Sequence, residues 1–240
     1  MSSPAADQST QDELFARLTQ DVNRRSFLGL GLGAAAAPAM MALAGTSAEG
    51  ASNSRNNIPS LYNGWTERNF QKIREDENDH VTILQTAIVS LGGTPRPMPT
   101  FRNLGFTNPT LFANQAAALE NLGVMAYFGA APAISNPNVL AVANSIAYVE
   151  AYHSGFINTL LNRTLTPNGM TYVTPATQEQ VIAAATPFIA SLNDNGQFPP
   201  GFSPTPSPAN DLAILNFALL LEQLEAEFYN INVARFASGR

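Results

Sequence analysis

The chain has no cysteine, a single lysine (Lys72), two histidines (His80 and His153) and one tryptophan in 240 residues. Without cysteine there is no disulfide, no thiolate metal site and no sulfur nucleophile. Twelve basic residues stand against 18 acidic ones, for a net charge of -6. The dense positive charge that nucleic acid or an anionic membrane attracts is therefore missing. Long hydrophobic runs are scarce as well. The most apolar N-terminal stretch, "NRRSFLGLGLGAAAAPAMMALAG" at 23–45, is too short and too rich in glycine for a stable membrane span. What remains is an acidic, moderately apolar chain long enough for one domain with a sizeable core.

The first fifty residues read as a leader rather than as part of the fold. Residues 1–22 are polar and are expected to be disordered. Arg24 and Arg25 then precede the weakly apolar run, in a pattern that resembles a twin-arginine export signal with Asn23 where Ser or Thr is usual. "ALA" at 42–44 and "TSA" at 46–48 are two candidate cleavage sites. Residues 1–48 are accordingly assigned to a leader plus export signal. The expected location is periplasmic or extracellular, with an uncleaved anchor as the alternative.

Helical periodicity dominates the rest. In 66–91, Phe70, Ile73, Glu77, His80, Leu84, Ala87 and Leu91 recur at spacings of three and four, with Arg74, Glu75, Asp76, Asn78 and Asp79 on other faces, and Gly92 and Gly93 end the helix. Asn108-Pro109 and Asn136-Pro137 are matching start signals for a second helix to about Gly129 and a third to about Asn162. Ala113, Ala116, Glu120, Gly123 and Tyr127 share a face of the second; Val139, Ala143, Ile146, Glu150, His153, Ile157 and Leu160 share a face of the third. Residues 163–210 read as a loop-rich connection with one short helix interrupted at Pro187. A last long helix runs from about Asp211 to Arg235, with Leu215, Ala218, Glu222, Tyr229 and Val233 inward. No strand pattern competes. The expectation is an all-α four-helix bundle over residues 62–236.

Both histidines follow a glutamate by three residues: Glu77/His80 and Glu150/His153. With 11 glutamates in 240 residues, chance gives both pairs about once in 500. On a helix, residues three apart project from one side, so each pair offers a carboxylate and an imidazole to one ion. Glu120 and Glu222 likewise interrupt apolar stripes, where an unpaired charge is costly. Four helices thus supply Glu77, His80, Glu120, Glu150, His153 and Glu222, the ligand inventory of di-iron and di-manganese carboxylate bundles. Four carboxylates neutralise two divalent cations, and mixed oxygen and imidazole donors suit Fe or Mn. In the last helix Glu225 is an alternative to Glu222, and Glu227 points outward. Tyr127 follows Glu120, and Tyr229 follows Glu222, by seven residues. Each tyrosine is a candidate to hydrogen-bond a ligand or donate an electron, or else fills core space.

The segments "ENDHVTILQ", "AAALENLGVMAYFGA", "VEAYHSGFI", "TPFI" and "ILNFALLLEQLEAEFY" resemble the ferritin-like domain family that includes plant desiccation-related proteins and many exported bacterial proteins. In that family the "LNFALLLEQLEAEFY" helix comes first. Here it is last, so the domain looks circularly permuted, unless this helix completes a neighbouring subunit in a homodimer. The resemblance implies an oxidoreductase of the ferroxidase or peroxide-scavenging type, acting in stress protection on O₂, peroxide or ferrous iron. Glu77 and Glu150 would bridge two ions, Glu120 and Glu222 would be terminal ligands, and each histidine would complete one metal. Bulk iron storage needs a large closed shell that nothing in the sequence specifies. The desiccation-related relatives also imply a competing role, a non-enzymatic protective bundle in which metal is structural or absent.

Overall fold

The computed structural model describes residues 64–198 and 201–236; the reading of residues 1–48 as leader and export signal falls outside them. Helix α1 spans Trp65–Ser90 and buries Phe70, Ile73, Glu77, His80, Leu84, Ala87 and Ile88. It stops where glycine allows a left-handed residue: Gly92 has φ +74°, and the amides of Gly92 and Gly93 donate to the carbonyls of Val89 and Ile88, both at 2.9 Å. Helix α2 spans Pro109–Ala130 and α3 spans Pro137–Leu160. Both open as their Asn-Pro signals predict. The Asn108 carboxamide accepts from the amides of Thr110 and Leu111, and that of Asn136 from the amide of Asn138. Short α4 spans Gln178–Ala185 behind a Thr177/Gln180 capping box. Long α5 spans Pro208–Phe236.

Side-chain pairs along the helices set their directions. Residue 78 of α1 meets 230 of α5, and 80 meets 222. Residue 121 of α2 meets 158 of α3, and 120 and 127 of α2 meet 229 and 222 of α5. Residues 76 and 80 of α1 meet 153 and 150 of α3. Every neighbouring pair is antiparallel, with α1 packed chiefly on α5, and α2 chiefly on α3. The last helix therefore packs within its own chain.

Since α1 and α2 run the same way, the chain between them must travel the length of the bundle. Residues 91–108 do so along α5. Asn216 receives the Arg96 amide near one end, and the Asn232 carboxamide joins Leu104 and Phe106 near the other, a climb of about 24 Å at 1.5 Å per residue. The connection from α3 to α5 makes a second traverse. The two traverses touch where β1 (Thr100–Phe101) pairs antiparallel with β2 (Ile189–Ser191), a contact that no alternation in the sequence announces. The buried Arg96 guanidinium also bridges them, reaching Asp194 at 3.3 Å and the Asn216 carbonyl. At the same end as Asn216, the Asp211 carboxylate accepts from the amides of Ser135 and Asn136 and the Ser135 hydroxyl, tying the start of α5 to the start of α3.

Helix α5 departs from the expected amphipathic stripe. Eighteen of its 29 residues are buried, on nearly all sides, because the first traverse covers the face that α1 and α2 do not. The core forms two apolar layers. One gathers Phe70, Phe112, Ile157, Phe228 and Tyr229; the other gathers Leu84, Ile88, Val142, Ile146, Leu215 and Leu219. In the first, the Phe112 ring lies 5.0 Å from Phe70, 5.3 Å from Phe228 and 6.1 Å from Tyr229, joining three helices.

Phe112→Ala is expected to destabilise the metal-free protein by about 3–5 kcal/mol, read as a lower denaturant midpoint at unchanged slope. A shift below about 1 kcal/mol would show that this layer does not hold the bundle together.

Candidate metal centre

Between the two apolar layers lies a level of polar groups. Glu77, Glu120 and Glu150 are fully enclosed, Glu222 is 1 % exposed, and His80 and His153 are buried. Each reaches this level because its helix places an inward position between apolar ones: Glu77 and His80 between Ile73 and Leu84, and Glu150 and His153 between Ile146 and Ile157. Donor atoms gather into two groups, Glu77-His80-Glu150-Glu222 and Glu77-Glu120-Glu150-His153, with the atoms of each group within 4.8 Å of one another. Glu77 and Glu150 belong to both.

The imidazoles enter by the same edge. His80 Nδ1 lies 3.1 Å from Glu222, 3.2 Å from Glu150 and 3.3 Å from Glu77. His153 Nδ1 lies 2.9 Å from Glu77 and 3.2 Å from Glu120. One ring nitrogen cannot serve two or three carboxylates with one proton. Indeed His153 Nδ1, Glu77 Oε1, Glu120 Oε2 and both Glu150 oxygens are buried without a hydrogen bond. Buried polar atoms are normally paired. Five orphaned donor atoms converging on one spot, all oxygen or imidazole nitrogen, fit a metal cation.

The two tyrosines fall where the spacing of seven predicts. Tyr127 of α2 donates to Glu222 Oε1 of α5 at 2.6 Å, and Tyr229 of α5 donates to Glu120 Oε1 of α2. Each hydroxyl thus orients the glutamate of the opposite helix and leaves its second oxygen toward the cluster. Of the two carboxylates weighed on α5, Glu222 joins the cluster; Glu225 is also buried but stands outside both groups. Glu227 is half-buried.

Asp76, which the sequence places off the apolar stripe of α1, is drawn to the cluster from the next face. It is half-buried, and His153 Nε2 donates to its Oδ2 at 3.2 Å, while Lys72 pairs with its other oxygen. A carboxylate on the outer nitrogen fixes the tautomer that turns Nδ1 inward. The signal in the sequence was the position one before Glu77, which on an antiparallel neighbour faces the residue three beyond Glu150. A second unforeseen network lies beside the cluster: the Ser154 hydroxyl and the Asn158 carboxamide donate to Asn121 Oδ1 at 2.6 and 3.0 Å, pinning α2 to α3 next to Glu120 and His153.

Electrostatics follow from enclosure. Burial first, then neighbouring carboxylates, hold Glu150 and Glu225 well above the usual carboxyl range; burial also raises Glu120. On His80 and His153 burial acts against charge, yet the surrounding carboxylates outweigh it and raise both. Burial, with the adjacent glutamates, raises Tyr127 and Tyr229, so both remain hydrogen-bond donors. Burial works against ionisation of Asp76, but His153 and Lys72 prevail and lower it.

These features define a class: an all-α bundle with a buried carboxylate-histidine cradle suited to metal. The Ferritin-like domain family matches residues 33–163, more than half of the chain, and this chain belongs to it. The match begins within the apolar run after Arg25 and ends at the close of α3, so Glu77, His80, Glu120, Glu150 and His153 lie inside it and α5 lies beyond it. No curated protein and no solved structure matches the chain.

Protons held by the fold and released by the unfolded chain make stability depend on pH. The raised glutamates begin to cost stability above their ordinary pKa of 4.5, the raised histidines above 6.5. Metal-free protein is therefore expected to melt at lower temperature at pH 8 than at pH 5.5, by up to about 1.4 kcal/mol per pH unit for each such group. With Mn(II) present, which displaces those protons, the trend should flatten or invert. Thermal melts with and without chelator check this; a pH-independent metal-free melt would contradict it. Asp76→Asn should weaken metal at the His153 group by about 10–100-fold, measured by Mn(II) titration.

Proposed function

We propose that this chain is an exported ferritin-like protein carrying a di-iron or di-manganese carboxylate centre that acts on dioxygen, peroxide or ferrous iron in protection against oxidative stress. One observation carries the reading: two four-residue donor groups share Glu77 and Glu150, as a pair of ions bridged by two carboxylates requires. Glu222 with His80, and Glu120 with His153, would complete the two positions. A bound metal pair supplies redox change and open coordination positions for a small oxidant.

The chain's own residues do the rest. Four carboxylates balance two divalent charges, so the buried level becomes neutral on loading. Tyr127 and Tyr229 hold the terminal glutamates by their outer oxygens. Asp76 steadies His153. The apolar layers above and below exclude bulk water, which strengthens each of these contacts.

Export by the twin-arginine route rests on Arg24-Arg25 and the run after them, and that route suits a protein folded around metal before it crosses. Circular permutation is supported by the position of α5, which pairs antiparallel with α1. Its end, Phe236, packs into the same aromatic layer as Trp65 at the start of α1. A short loop there would restore the order in which this helix comes first. Among the described residues no helix is long and apolar enough to cross a membrane.

Mass spectrometry of protein taken from its native compartment, without affinity-resin metals, is expected to find about two Fe or Mn per chain, lost in Glu150→Ala. Glu77→Ala and His153→Ala should lower ferrous oxidation or peroxide removal at least tenfold while the helical signal is kept. Well-folded native protein without metal would overturn the reading in favour of a protective bundle.

A further inference from the structure

Alanine fills the small inward positions of α2: Ala113, Ala116, Ala117, Ala126 and Ala130 are buried. Glycine appears twice. Gly129 has a backbone reason, since a Cβ there would lie 2.1 Å from the Ala176 carbonyl oxygen. Gly123 has none: it sits mid-helix without a positive φ, where glycine costs about 1 kcal/mol relative to alanine. The three atoms nearest to a Cβ at 123 would all belong to Glu150: Oε2 at 2.9 Å, Cδ at 3.6 Å and Cγ at 3.7 Å.

We propose that Gly123 is a positioning residue for the metal pair: the space left by its missing side chain is what lets Glu150 stand between the two donor groups. The inference rests on the di-metal reading and adds to it. Glu222 and Glu120 are held by tyrosine hydroxyls; Glu150 has no such donor, so apart from the His80 ring 3.2 Å from one oxygen its carboxylate is located by the space around it. The hollow is not a general demand of the bundle. Helices α2 and α5 play matching parts, each with a glutamate and a tyrosine seven residues on, and the residue three after Glu222 is Glu225, not glycine. The centre is therefore asymmetric, with room on the α2 side and an extra carboxyl on the α5 side.

A methyl at 123 would displace the tip of a flexible side chain, which the fold tolerates, but it would move one of the two shared carboxylates. The two effects have opposite signs. Gly123→Ala in the full chain should leave the metal-free melting temperature unchanged or higher, from helix propensity, while weakening Mn(II) binding at least tenfold or halving its stoichiometry. Shortening the carboxylate with Glu150→Asp in the Gly123→Ala background should recover part of that affinity. Wild-type affinity in Gly123→Ala would overturn the proposal. If the metal-free melt falls instead, recovery in the double variant upholds it and absence of recovery overturns it. A wild-type chain that binds neither Mn(II) nor anaerobic Fe(II) would remove the di-metal reading and this inference together, an outcome distinct from loss in the variant alone.

Discussion

Six ionisable side chains meet at one level of a helical bundle, sealed from water by apolar layers on both sides. Four are carboxylates, and their mutual repulsion in that enclosure is the constraint to which the rest of the structure answers. Burial keeps Glu150 and Glu120 from ionising readily, and the same carboxylates hold both imidazoles protonated. Hydrogen bonds within the protein do not resolve the conflict, because five donor atoms converge without one. The apolar layers supply the stability against which this cost is set. On the proposed reading, divalent cations would remove it by replacing protons that the groups share poorly.

The scaffold around this level is built to hold four helices antiparallel to their neighbours. Because α1 and α2 run the same way, as do α3 and α5, two of the connections are long traverses rather than short hairpin loops. The first traverse covers α5 and is stapled by Asn216, Asn232 and the Arg96-Asp194 pair. Its coverage makes α5 a central helix, buried on nearly all sides. The second returns the chain to the opposite end, where Asp211 fastens the starts of α3 and α5 together. Tyr127 and Tyr229 tie the same scaffold directly to Glu222 and Glu120, so bundle packing and the orientation of these carboxylates are one set of contacts.

Most of the helical architecture was legible because its signals are local. The stripe through Phe70, Glu77, His80 and Leu84 repeats at helical spacing, and the Asn-Pro starts at 108 and 136 carry their own capping chemistry. The six clustered residues were legible for a related reason: a charged residue inside an apolar stripe must have partners, and six such residues have few choices. What was not legible is whatever depends on a helix seen from its neighbour. On α1 alone Asp76 lies off the apolar stripe, and only α3 alongside turns it into the partner of His153. The β1-β2 contact joins two loops 88 residues apart, each too short to show an alternating pattern.

The sequence alone determined that the chain forms long helices, where they begin, and that each of four brings carboxylate or carboxylate plus imidazole inward, because these follow from periodicity and capping within a few residues. Tertiary structure decided between Glu222 and Glu225, since both are inward on α5 and only the Tyr127 hydroxyl and the His80 ring across the bundle distinguish them. It also decided that Gly123 faces Glu150 rather than empty space. The physical reason is the same in both cases: which inward atom reaches a shared centre depends on the rotation and height of one helix against another, and packing of the whole core sets those.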